Sequence, residues 1–266
     1  MLLYRHPRTT ICFEKPPSGI GRGRGGKGKA KEAQPPAASI PQAKTITEAN
    51  ELAVQLGIAK HADFDGLDVS VANDMIKQIR ETREMFPELP PLDSIGEMHI
   101  VDVKIYGKRK VRGSPYGVTC HSKTGETGIG LNIAHYAPSS LESTFSHRRE
   151  EVATLWHPIG ADKLSGTINH EIGHWLDSHV KASSDRTIMN LYGSYYTNRR
   201  TAHTLPDGSR IRIYKKMANA LSDYAHTNLH EFVAEGWAEY RNNPAPRPLA
   251  KAIGDRIVEL YKEMYK

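Results

Sequence analysis

A chain of 266 residues, 38% hydrophobic and 25% charged, is long enough for one substantial core and too apolar to be disordered throughout. It holds no run near the roughly 18 apolar residues that a helical membrane span needs, so no membrane partner is expected. The net charge of +6 suggests nucleic acid, but residues 1–45 carry nine Lys/Arg against two acidic residues and the chain after Lys44 sums to −1, which argues against a basic face on the folded part.

The opening stretch, MLLYRHPRTTICF, has no continuous apolar segment followed by a small-residue cleavage site, and no secretory signal peptide is expected. Residues 15–44 are rich in Gly, Pro, Lys and Arg, with two isoleucines and no aromatic residue. Ordering them would cost backbone entropy for almost no apolar burial. Residues 1–44 therefore read as a disordered basic tail, capable at most of weak, nonspecific, salt-sensitive contact with nucleic acid. Cys12 and Cys120 are the only cysteines and read as free thiols in a reducing compartment.

Regular structure is predicted from Thr45, which has capping-box spacing with Glu48, through a short helix that stops at Gly57. A second helix is predicted over 69–86, with Val71, Met75, Ile79 and Phe86 as its apolar stripe and Pro87 as its stop. The period then changes. Residues 99–106, HIVDVKIY, alternate in part and predict a strand, Lys108–Arg112 a basic hairpin tip, and 117–121 and 129–133 two further strands. From Ser139 the pattern is helical, with helices predicted over 141–155, 161–180, 184–196, 214–221, 228–241 and 249–264. Pro206-Asp207-Gly208 marks a turn, with Ile211 and Ile213 as a strand remnant beside it.

Residues 170–174 read His-Glu-Ile-Gly-His. On a helix, positions i and i+4 share a face, so His170 and His174 can turn both imidazoles to one metal ion. Glu171, rotated by roughly 100°, is placed to take a proton from a metal-activated water as general base. Gly173 costs about 0.5–1 kcal/mol in a helix interior, which the close approach of another backbone would explain.

A catalytic zinc normally takes three protein ligands, and the continuation His-x-x-Gly-x-x-His is absent, because Asp177 and Val180 follow. The third ligand must come from elsewhere, and LHEFVAEGWAEY at 229–240 offers Glu231 and Glu235 on one helix face. Two carboxylates so close on a buried face need a cation or donor between them. The spacing leaves open which of the two ligates, since Asn228 and Glu231 also fit a capping box. Asp177, three residues after His174, is either a partner for a ligand histidine or a solvated side chain.

His-Glu-x-x-His followed by SDYAHTNLHEFVAEGWAEY at 222–240 resembles the gluzincin peptidases of the anthrax lethal factor and Pro-Pro endopeptidase type, and similar segments in phage and mobile-element proteins. The resemblance covers about 159–240. It implies His170, His174 and Glu231 as ligands of one Zn2+, Glu171 as general base, Tyr224 as oxyanion donor seven residues before Glu231, and Glu235 as a carboxylate behind the ligands. Together with the elements read from the pattern, the expectation is one α+β, zincin-like metallopeptidase domain over 45–266. That domain would comprise a helical layer at 45–98, a small, mostly antiparallel sheet at 99–135 and a helical part with the metal site at 139–266. The expected activity is hydrolysis of a peptide or protein substrate, in the cytoplasm of a bacterial or phage-infected cell or after export without a signal peptide. The rival expectation is a catalytically silent, zinc-stabilised interaction module.

Overall fold

Helix α1 (Ile46–Gln55) begins where the Thr45 hydroxyl accepts from the Glu48 N–H at 3.2 Å, and the chain leaves it through Gly57 at φ 63°. The computed structural model describes residues 41–198, 200–204, 210–214 and 220–266. The tail expected at 1–44 lies outside these up to residue 40. Its last residues do not, and Ala43 is buried and exchanges two 2.8 Å hydrogen bonds with the Asn73 side chain.

Strand β1 (Ala62–Asp63) leads to helix α2 (Val69–Met85), capped by Asp68 and burying Val71, Met75 and Ile79. Strand β2 (Ser94–Glu97) runs directly into helix α3 (Met98–Tyr106), followed by the hairpin of β3 (Gly117–His121) and β4 (Thr127–Leu131). The sheet order is β1-β2-β4-β3, with β1–β2 and β2–β4 parallel and β3–β4 antiparallel. The expectation of a mostly antiparallel sheet is thus overturned. The physical reason is connectivity, because β1 and β2 are each followed by a helix that crosses over before the next paired strand. The segment 45–98 correspondingly supplies two strands besides its helices.

Residues 99–106 form a helix and not the expected strand. The Glu97 carboxylate accepts from Ile100 N–H at 2.9 Å, and Gly107 closes the other end at φ 70°. Met98, Val101, Asp102 and Ile105 are the buried positions, spaced as one helix face, while Val103 is 46% exposed. This face lies on the glycines of β4: a Cβ on Gly130 would stand 2.6 Å from Met98 Cα, and one on Gly128 2.7 Å from Val101 Cγ1. Lys108–Arg112 therefore joins a helix to a strand and is not a hairpin tip. Asp102 Oδ2 anchors it by accepting from the Lys110 and Val111 N–H groups at 2.5 and 2.9 Å.

The helical part consists of α4 (Ile133–Tyr136), α5 (Leu141–Ala153), α6 (Ser165–Val180) and α7 (Arg186–Tyr196), then α8 (Leu229–Asn242) and α9 (Pro248–Met264). Strands β5 (Arg200–Thr204) and β6 (Arg210–Tyr214) form a separate antiparallel pair, which places Ile211 and Ile213 in a strand. The Pro206-Asp207-Gly208 turn lies outside the described residues. So do 215–219 of the helix expected at 214–221, whose ends are not helical: Tyr214 closes β6, and Ala220 and Leu221 are irregular.

The fold is α+β, and residues Ile40–Lys266 hold together as one unit. One hydrophobic cluster joins Met75 and Ile79 of α2, Ile129 and Leu131 of β4, Ile168 and Ile172 of α6 and Trp237 of α8, so the sheet and the helices share a core. Cys120 is a buried free thiol, whereas Cys12 lies outside the described residues. Among the described residues no helix is long and apolar enough to cross a membrane.

Candidate metal centre

Helices α6 and α8 make the most extensive helix packing in the protein, and glycine sets how close they come. A Cβ on Gly173 would lie 2.7 Å from Ala234 Cα, so only glycine lets the two backbones meet there. This close approach is the physical reason for the helix-interior glycine.

The approach brings three donor atoms together. His170 Nε2 and His174 Nε2 are 3.2 Å apart, and Glu231 Oε2 lies 3.1 Å from the first and 3.3 Å from the second. Among the described residues this is the only group of His, Cys, Asp and Glu side chains close enough to hold a metal ion. Asn228 Oδ1 accepts from the Glu231 backbone N–H at 3.0 Å. The cap is therefore made through the Glu231 main chain, and its carboxylate is left for the triad.

The electrostatics of the triad call for a positive charge. Burial lowers the basicity of His170, but the carboxylates of Glu231 and Glu235 outweigh it and push the imidazole up to about 10. Burial would raise the Glu231 carboxyl, yet His170 and His174 hold it down at about 2. Glu231 Oε2 is buried and accepts no hydrogen bond of ordinary geometry, although two ring nitrogens stand within 3.3 Å.

Glu235 stands behind the triad, its Oε1 2.8 Å from His170 Nδ1. A carboxylate can only accept there, so Nδ1 donates to it, and Nε2 is the nitrogen that faces Glu231 and His174. Glu235 is 1% exposed, and despite that burial His157 and His170 keep its carboxyl well below the usual range. Ser222 Oγ donates to its Oε2 at 2.5 Å.

Glu171 faces the other way, toward β3. Thr119 Oγ1 lies 2.7 Å from its Oε2 and 2.9 Å from its carbonyl oxygen, which ties the side chain to the strand. Tyr224 begins a short 3-10 turn over Tyr224–His226, with its ring 6.0 Å from that of His170. Burial, then the charges of Glu231, Glu235 and Glu171, push its hydroxyl up to about 12.

His170, Glu171, His174, Tyr224 and Glu231 all line one cleft of about 560 Å3, walled on one side by Gly117–Thr119 of β3. Asp177 also lines it, and its hydrogen bonds go to neither His170 nor His174. It is 4% exposed, which overturns the solvated alternative, and it accepts from Ser183 N–H at 2.6 Å and pairs with His230 Nδ1 at 2.7 Å. Its part is to fix the turn after α6. Glu239, three turns along α8, is fully buried and held by the Arg247 guanidinium, which also donates to Leu221 O at 2.6 Å.

Sequence reasoning missed Thr119, His157 and Ser222. Ser222 opens the 222–240 segment and could have been found there. Thr119 and His157 have no spacing relation to the motif, because the fold brings them in from a strand and a loop. No protein-family model, curated protein or solved structure matches the chain.

Proposed function

We propose that the protein is a zinc-dependent metalloendopeptidase of zincin-like architecture, acting on a peptide or protein laid along β3. The observation that carries this reading is the triad itself: two imidazole nitrogens and a carboxylate oxygen 3.1–3.3 Å apart, beside the buried carboxylate of Glu171. Zinc with bonds of about 2.0–2.1 Å to a tetrahedral set needs donors about 3.3–3.4 Å apart, and two histidines with one carboxylate is a donor set of catalytic zinc. The residues present therefore fit the ion.

Zinc held there supplies Lewis acidity, which acidifies a water molecule and polarises a carbonyl. The chain's own side chains do the rest. Glu235 orients His170. Glu171, with Oε2 fixed by Thr119, accepts the proton of the attacking water on Oε1 and returns it to the leaving amine. Tyr224, held neutral at physiological pH, donates to the carbonyl oxygen as negative charge develops on it.

The edge position favours an internal cut. Among the described residues β3 is paired on one side only, with β4, so an extended chain can pair with its other side without presenting a terminus. Metal analysis of the purified protein tests the proposal. One zinc per chain is expected in the wild type, and none in H174A or E231A. Wild-type protein that takes up no zinc would end it.

A further inference from the structure

The segment between α5 and α6 carries a feature that the proposed reaction does not yet use. Helix α5 ends in a turn in which Trp156 N–H bonds Glu151 O at 2.8 Å and Leu155 N–H bonds Val152 O at 3.0 Å. Leu155 stands at φ 58°, a left-handed position that normally takes glycine. The strained turn sends the next residues across the site. Leu155 O accepts from Asp223 N–H at 2.7 Å, and Trp156 O accepts from Tyr224 N–H at 3.0 Å. His157 follows, 9% exposed, with its ring 5.2 Å from the ring of Tyr224.

His157 Nδ1 lies 3.3 Å from Glu235 Oε1, the same oxygen that takes the His170 Nδ1 proton. Its other nitrogen is 3.8 Å from Glu151 Oε2, too far for a hydrogen bond. The carboxylate of Glu235 thus bridges two imidazoles, while Ser222 holds its second oxygen. A carboxylate buried this deeply keeps its orientation only while its lone pairs are engaged. Removing the His157 donor leaves Oε1 with the His170 contact and Oε2 with Ser222, so the carboxylate loses one of the three donors that fix its plane.

We infer that His157 is a positioning residue which, through Glu235, fixes the His170 ring as a metal ligand. This rests on the function proposed above, because it gives His170 a metal to hold. Partners one step behind the ligands, as Glu235 is, typically change metal affinity by about 10–100-fold, and His157, a step further back, is expected at the low end of that range.

The test uses zinc alone, in competition with a chromophoric chelator. The absorption of the cobalt-substituted protein is a second signature, and the unfolding midpoint of the metal-free protein is the control. H157L keeps the packing volume but removes the donor, and is expected to bind zinc about tenfold more weakly with altered cobalt bands. H157N returns an N–H close to the place of Nδ1 and is expected to recover most of the affinity. Should H157L not fold, H157Q makes the same comparison, because its amide reaches the place of Nε2 and it should bind as weakly.

Wild-type affinity in H157L or H157Q overturns the inference while leaving the metal-centre proposal intact. So does an H157N protein that binds as weakly as the donorless variant. A wild-type protein that takes up no zinc removes both.

Discussion

Among the glycines that let a helix lie close against its neighbour, those on α6 and on β4 serve different ends. At the α6–α8 contact, Gly173 faces Ala234, and His170, His174 and Glu231 lie on the two helices that meet there. Where α3 lies on the sheet, Gly130 faces Met98 and Gly128 faces Val101, and what gathers is the small apolar cluster of Val101, Ile105 and Cys120. The packing device is the same. What differs is the side chains around it: ionisable groups that need one another at the first contact, and hydrocarbon that only needs to leave water at the second.

The strongest way to probe this contrast is to change chemistry without changing packing. Glutamine at position 171 keeps the shape of the side chain and a carbonyl oxygen for the Thr119 hydroxyl, but it cannot take a proton. E171Q is expected to lower peptide hydrolysis by about 10^2–10^4-fold while zinc content stays at the wild-type level. Cleavage of a fluorogenic peptide library, measured with metal content on the same preparation, checks both. Full activity in E171Q would refute the mechanism, and an inactive wild type with full zinc would favour a silent, zinc-stabilised module.

Alanine at each close contact then separates the two regions. G173A forces a methyl to 2.7 Å from Ala234 Cα, and G130A forces one to 2.6 Å from Met98 Cα. Each is expected to destabilise the fold by about 1–3 kcal/mol, the usual cost of overpacking, measured by denaturant unfolding of the metal-free protein. Only G173A should also weaken zinc, by at least about tenfold, because it moves Glu231 relative to His170 and His174. Equal loss of zinc affinity in G130A would mean that the sheet and the metal centre are not independent in the way their packing suggests.

The contrast also explains what could be read before the fold was known. That His170 and His174 share one face was legible from their helical spacing, and Asn228 marked the start of α8 by its capping chemistry. Residues 99–106 were not legible as a helix. Their alternation at Ile100, Val103 and Ile105 imitates a strand, and the Glu97 cap that decides the matter stands just outside the segment. The parallel pairing of β2 depends on where crossover connections carry the chain, which no local pattern encodes. Thr119 and His157 were invisible for the same reason: each acts on the motif only because tertiary structure delivers it there.

The smallest expected effect lies where the two regions meet, between β3 and α6. A Cβ on Gly117 would stand 3.0 Å from both Glu171 Oε1 and Thr167 Cγ2. Neither atom belongs to the backbone, so G117A can be accommodated if the Glu171 side chain gives way by a few tenths of an ångström. The Thr119 hydrogen bond holds Oε2 in place, so that displacement falls on Oε1, the oxygen assigned the proton. Turnover should fall by about tenfold, consistent with the sensitivity of proton transfer to position, with zinc affinity and the unfolding midpoint near wild type. The proposed ligands are His170, His174 and Glu231, none of which the new methyl touches, so a loss of zinc in G117A would place Glu171 in the metal's coordination rather than beside it.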